Sequence, residues 1–95
     1  MKGKLIFYRK NIEVNGDIVE MRIWEVPSSK RAPSGLKYSL VYIREGKRII
    51  GYDNAEGKGP HRHYKGREVA CDFQGVDNLI KEFYEDVEKV RRGLL

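Results

Sequence analysis

Hydrophobic and polar positions change rhythm once along this chain, close to residue 74. Before it, apolar residues recur at every second position in short runs, the spacing of strands with one buried face. "LIFYRKNIEV" and "DIVEMRIWEV" are rich in β-branched and aromatic residues and are separated by Asn15-Gly16. That dipeptide accepts the positive φ angles of a type I′ turn, so it predicts a tight hairpin. "PSSKRAPSG", residues 27–35, carries Lys30 and Arg31 and reads as an exposed loop. "LKYSLVYIR" alternates Leu36, Tyr38, Leu40 and Tyr42 with Lys37, Ser39, Val41 and Ile43. A Glu45-Gly46 turn then leads into "KRIIGYD", a second hairpin, and Lys65-Gly66 turns "HRHY" back into "REVACDF", a third.

After residue 74 the rhythm is helical. Val76, Leu79, Ile80, Phe83, Val87 and Val90 follow the i, i+3, i+4, i+7 spacing of one helical face. Glu85 and Lys89, and Glu88 and Arg92, form favourable i,i+4 pairs on the other face. Asp77 in the first turn and Arg91 and Arg92 in the last suit the helix dipole. The expected architecture is α+β. A single-layer, curled antiparallel sheet of five or six strands fills residues 1–73, and one C-terminal helix over 75–92 packs on one face. The 95 residues make a single domain, 1–95, with room for one core. The uncovered face of the sheet is left for solvent or a partner.

Register makes this pattern bear on chemistry. Both histidines of the chain lie in "YDNAEGKGPHRHYKG", residues 52–66. With Lys65-Gly66 as a two-residue turn, Tyr64 faces Arg67, His63 faces Glu68, Arg62 faces Val69 and His61 faces Ala70. Cross-strand partners share a face. Val69, Cys71 and Phe73 form the expected buried set, so His61 and His63 share the open face with Glu68 and Asp72. The same register aims Arg62 inward, which an arginine tolerates where its head reaches water.

Composition narrows the class. The chain is 40% hydrophobic and 35% charged, ordinary values for a globular domain. No apolar run approaches the roughly 20 residues that span a bilayer, and no signal-peptide pattern opens the chain. With one cysteine, Cys71, it forms no internal disulfide, and a cytoplasmic location is expected. The net charge of +5 is unevenly spread. Residues 27–67 carry ten Lys/Arg against three Asp/Glu, whereas 68–95 carry four against seven. A basic middle third attracts polyanions, nucleic acid first among them, although many basic faces only solubilise. Tyr8, Trp24, Tyr38, Tyr42, Tyr52 and Tyr64 are many aromatics for so small a sheet. Several must be core; any on the open face would mix rings with Lys/Arg, as nucleotide-binding sheets do.

Three chemistries fit two imidazoles and nearby carboxylates. A metal site is one, since His-x-His on a strand presents two ligands, but no third ligand stands at a diagnostic spacing. Acid–base cleavage of RNA is the second. A histidine with pKa near 6.5 takes the 2′-hydroxyl proton or protonates the leaving oxygen, while Lys/Arg stabilise the phosphate. Simple phosphate holding, without catalysis, is the third. Asp53 and Asn54 have a structural role open to them as turn-fixing residues. Gly57-Lys58-Gly59 offers backbone N–H groups and an ammonium to a phosphate, but no P-loop pattern is present. Cys71 reads as a core residue rather than a nucleophile.

Taken together, these elements resemble the TumE family of toxins from prokaryotic toxin–antitoxin pairs. The likeness rests on Lys37-Tyr38, Tyr52-Asp53-Asn54, Gly57-Lys58-Gly59, His61-Arg62-His63, Arg67-Glu68, Phe73 and the closing helix, in order and at matching spacing. "RIWEVP" is similar to the family's earlier strand, and the likeness covers roughly residues 20–90. It implies a small cytoplasmic protein encoded beside an antitoxin, often one with a helix-turn-helix domain. Ribonuclease action follows by analogy with other small toxins. Two positions depart from the family pattern. Pro60 stands where members commonly carry Asp, which weakens the metal reading and puts activity in question, and Cys71 stands where an aromatic is common.

The resulting expectation is an RNA-directed, metal-independent endoribonuclease with no cofactor. His61 and His63 serve as acid and base, and Asp53 or Glu68 orients a histidine. Lys58, Arg62, Tyr52, Lys37 and Arg67 contact nucleic acid. RNA and a cognate antitoxin are the expected partners, a homodimer through exposed strand edges is plausible on the same grounds, and no membrane is involved. A non-catalytic RNA- or protein-binding module and a metal-dependent phosphodiesterase or nuclease are the alternatives.

Overall fold

The computed structural model describes residues 3–30, 32–54 and 59–95. Strands β1 (Lys4–Ile12), β2 (Ile18–Glu25), β3 (Leu36–Arg44), β4 (Lys47–Asp53), β5 (His61–Tyr64) and β6 (Arg67–Ala70) precede one helix, α1 (Val76–Arg91). Each strand pairs antiparallel with the next in chain order, so the sheet is an open six-stranded meander. Helix α1 covers one face of its centre. The α+β architecture expected from the period switch is the one observed.

The turns show which local signals act as expected. Glu45-Gly46 has φ values of 54° and 74°, and Lys65-Gly66 has 45° and 86°. Both turns therefore place their two central residues in the left-handed region, as a type I′ hairpin requires. The first hairpin departs from the expected type I′ geometry. Only Gly16 has a positive φ, at 91°, and the N–H of Gly16 donates to the Glu13 carbonyl at 2.9 Å. Asn15 instead accepts the Asp17 N–H on its Oδ1 at 2.9 Å. An asparagine side chain that bonds backbone two residues ahead holds its own turn, and the hairpin widens to a five-residue connection.

The core lies between α1 and the inner face of β2–β4. Val19, Met21 and Ile23, Tyr38, Leu40 and Tyr42, and Ile50 and Tyr52 point toward Leu79, Phe83, Val87 and Val90, all buried. Each such apolar side chain removed from water contributes about 2 kcal/mol, which outweighs the weak cap at Gly75, where no side chain bonds the helix start. Phe73 stacks on Tyr38 with ring centroids 5.5 Å apart. Cys71 is half-buried against the same cluster.

Val69 overturns part of the expected buried set, being 61% exposed. Its side of the sheet is the helix side, since it pairs with Arg62, but α1 packs chiefly over β4 and leaves Val69 uncovered. Asp72 also leaves the expected pattern. Strand β6 ends at Ala70, so the alternation that would set Asp72 beside the histidines does not extend to it. Asp72 lines a small cavity with Tyr38, Tyr52 and Phe73 instead.

Two buried carboxylates anchor the fold, one within the sheet and one between sheet and helix. The Asp17 carboxylate accepts the Tyr42 hydroxyl at 2.5 Å and two guanidinium N–H groups of Arg44 at 3.1 and 3.2 Å. Asp86, on the buried face of α1, accepts the Tyr52 hydroxyl at 2.6 Å and lies 3.4 Å from Arg62 Nε. Burial first, and the Asp86 carboxylate second, push the Tyr52 hydroxyl well above the usual tyrosine range. The inward-aimed Arg62 thus meets a carboxylate at the sheet–helix boundary while its head keeps access to water.

Candidate functional site

Pairing of β4 with β5 sets Asp53 opposite His61, Tyr52 opposite Arg62 and Gly51 opposite His63. Because Tyr52 points into the core, Asp53 and Gly51 point the other way, and His61 and His63 share their face. Pairing of β5 with β6 puts Glu68 opposite His63 and Ala70 opposite His61, the register expected from the Lys65-Gly66 turn. One cross-strand row on this face runs Tyr8, Arg22, Ser39, Asp53, His61.

The carboxylate of Asp53 engages both imidazoles. His61 Nε2 lies 2.8 Å from Asp53 Oδ1, and His63 Nε2 lies 3.2 Å from Asp53 Oδ2. The rings meet edge to face, with centroids 4.8 Å apart and planes at 73°. Glu68 Oε1 approaches His61 Nε2 at 3.9 Å. The cluster is recessed although it faces away from the helix: His61 is 6% exposed, and the Asp53 and His63 side chains are largely covered.

His61 is oriented from both sides. Its Nδ1 lies 2.8 Å from the Gly59 carbonyl, so Nδ1–H is the donor there. Gly59 holds φ at +75°, a conformation that a side chain disfavours, and this turns its carbonyl toward the ring. Pro60 then accepts the Cys71 N–H at 3.1 Å, extending the β5–β6 ladder. Asn54 takes a structural role. Its Oδ1 accepts the Tyr38 N–H at 3.0 Å and its Nδ2 donates to the Leu36 carbonyl at 2.8 Å, stitching the end of β4 to the start of β3. Adjacent residues of one Asp-Asn pair therefore divide between site and scaffold.

The expected site residues separate into two groups. Asp53, His61, His63 and Glu68 come together, and Lys37 lies on the same face two residues from Ser39, with its ammonium 5.6 Å from the Trp24 ring centroid. Tyr52 and Arg62 do not join them. Tyr52 is 2% exposed with its hydroxyl on Asp86, and Arg62 reaches the same carboxylate on the helix side. Arg67 is exposed and pairs with Tyr64 on that side as well. Lys58 lies outside the described residues. Of the aromatics, Tyr38, Tyr42 and Tyr52 are core. Tyr8 and Trp24 are on the open face, each beside a cation, Arg22 and Lys37 respectively.

Arg48 is a neighbour of the site that strand alternation misses. Regular alternation from Ile50 would put it on the helix face. A register shift between Tyr42 and Ile43 breaks the alternation, and the Arg48 side chain lies across Gly51 on the open face. A Cβ added at Gly51 would sit 3.0 Å from Arg48 Cδ. Gly51, which pairs with His63, leaves the space across which the Arg48 side chain lies. Cys71 does not belong to the site, and burial raises its thiol above the usual range, against a nucleophilic role. No helix among the described residues is long and apolar enough to cross a membrane.

A family model described as Toxin TumE matches residues 2–91, nearly the whole chain. No curated protein and no solved structure matches.

Proposed function

The chain belongs to the TumE toxin family, and we propose from that premise that it arrests growth by cutting RNA at the Asp53–His61–His63 cluster. Family membership makes it the toxin-type component of a toxin–antitoxin pair, with an antitoxin as its partner. RNA as the target, phosphodiester cleavage as the reaction and the cytoplasm as the place of action are the proposal. The observation that carries it is the convergence of both imidazole Nε2 atoms on one carboxylate, on the face that also presents Lys37, Arg48, Arg22 and Trp24.

The convergence alters how the work is divided. An acid and a base acting in concert sit on opposite sides of the reacting phosphate, each within hydrogen-bond reach of its proton. Here His61 is engaged at both ring nitrogens, by Gly59 and Asp53, so it serves to position the site. His63, held among the described residues by Asp53 through Nε2, is the group that moves a proton, at its other nitrogen, Nδ1. Arg48 and Lys37 supply cationic contacts to the phosphate and its developing charge, while Trp24 and Tyr8 offer rings on which bases stack. A metal-independent mechanism with two separated histidines is less well supported by this geometry than one in which Asp53, His61 and His63 act as a unit.

The test is incubation of the purified chain with total cellular RNA, with and without EDTA, beside His63→Gln and Asp53→Asn. Cleavage by the wild type and a loss of at least about 100-fold in each variant are expected, the scale of a lost acid–base group. Intact RNA under all conditions, or cleavage indifferent to both variants, overturns the catalytic reading. RNA retention that weakens steeply with salt but leaves the RNA whole would mark a binding module instead.

A further inference from the structure

We propose that Asp53, His61 and His63 hold one divalent transition-metal ion, Zn²⁺ or Mn²⁺, leaving coordination positions open to water and to an RNA phosphate. The phosphate half of this statement rests on the ribonuclease reading above; the metal half stands on geometry alone.

Three ligand atoms, one from each residue, lie within 4.8 Å of one another. Around a tetrahedral ion with bonds of about 2.0–2.2 Å, ligand atoms sit about 3.4 Å apart. Asp53 reaches the two rings with different oxygens, Oδ1 2.8 Å from His61 Nε2 and Oδ2 3.2 Å from His63 Nε2, both somewhat inside that value. Two imidazoles and one carboxylate suit Zn²⁺ and Mn²⁺, and three protein ligands leave the open position of a catalytic rather than a structural site.

The second ring nitrogen of His61 supplies an independent observation. Nδ1–H donates to the Gly59 carbonyl at 2.8 Å. That bond fixes the tautomer in which the Nε2 lone pair points at the cluster, the outer-sphere arrangement common to metal-bound histidines. A lone pair aimed at a carboxylate oxygen 2.8 Å away is repulsive unless a proton or a cation lies between them. An ion seated between them meets the lone pair and the carboxylate together. Pro60 replaces the carboxylate expected just before His61, but the ligand set is complete without it because Asp53 is brought in by β4–β5 pairing. Glu68, 3.9 Å from His61 Nε2, adds negative charge beside the ion.

The untagged full chain, stripped with EDTA and returned to metal-free buffer, is titrated with ZnCl₂ or MnCl₂ by calorimetry. Metal content after gel filtration and the visible spectrum with Co²⁺ complete the measurement. One metal per chain, with a Co²⁺ spectrum of fewer than six ligands, is expected. Asp53→Asn and His63→Gln should each weaken binding at least about 100-fold, with circular dichroism unchanged. If either variant misfolds, the other and the wild-type Co²⁺ spectrum still decide. Failure to retain either ion, or retention unchanged in both variants, overturns the site. Metal bound as described by a chain that leaves RNA intact upholds the site and sinks only the ribonuclease reading. RNA cleavage by metal-free protein in EDTA upholds the ribonuclease reading and overturns the phosphate half of the proposal, leaving the metal half to the titration.

Discussion

Asp86 is the buried charge on which the helix, Tyr52 and Arg62 meet, and its removal has a calculable cost. Asp86 is 5% exposed and lies on the helix face that carries Leu79, Phe83, Val87 and Val90. Asp86→Ala strands the Tyr52 hydroxyl in the core, which costs about 1–3 kcal/mol. It also deprives Arg62 of its partner, which adds about 1 kcal/mol or less because that side chain is 38% exposed and finds water. The single change should therefore cost about 1–4 kcal/mol. Tyr52→Phe keeps the ring and removes one hydrogen bond to a charged acceptor, a loss of about 1.5–3 kcal/mol. The double variant removes hydroxyl and carboxylate together and should cost less than the sum, with a coupling of about 1–2 kcal/mol. Urea denaturation followed by circular dichroism measures all four corners of the cycle, with the slope against urea unchanged. A loss of 2 kcal/mol lowers Tm by roughly 8–16 °C in a chain of this size. Strict additivity, or an Asp86→Ala variant within about 0.5 kcal/mol of wild type, would falsify the account of this network.

Three further outcomes follow from other parts of the molecule. Asp17 is held below the usual aspartate value of 3.8, chiefly by the Tyr42 hydroxyl and then by Arg44 and Asn15 against the opposing effect of burial. A depressed carboxylate contributes stability above its unfolded pKa and loses it as pH falls through the folded one, so stability should drop below pH 4. Asp17→Asn should flatten that acid limb in thermal melts, and an unchanged limb contradicts the assignment. The Cys71 thiol, raised by burial, should react with iodoacetamide at pH 8 more slowly than a free model thiol, and faster reaction would show a thiolate the fold does not predict. Gly51→Ala should displace the Arg48 side chain at modest cost in stability, because the clash is with a flexible chain. RNA affinity should then fall with a salt slope shallower by about one, whereas an unchanged slope would remove Arg48 from the interface.

Local rules carried the sequence reading a long way. Period-two runs placed the strands, the helical rhythm placed α1, and the Lys65-Gly66 turn fixed a register that set His61 and His63 on the face away from the helix. Where the reading failed, a nonlocal contact or a broken period was responsible. The site's third group was in view as Asp53, but its distance from the histidines is set by β4–β5 pairing, a register that the turn residues between the two strands do not fix as a two-residue hairpin does. Arg48 escaped because a register shift reverses its side, and Val69 because the reach of a helix across a sheet is not written in either element. Tyr52, an attractive stacking residue in a Tyr-Asp-Asn string, is claimed by Asp86, whose burial the helical apolar pattern passes over.

The central claim is that a growth-arresting toxin works through Asp53, His61 and His63 on RNA. Induced expression in cells lacking the antitoxin, with RNA 5′ ends mapped minutes after induction, tests it most directly. Wild-type protein should stop growth and generate new RNA ends, and His63→Gln and Asp53→Asn at equal abundance should do neither. Arrest by both variants, or arrest by the wild type with no new RNA ends, would contradict it.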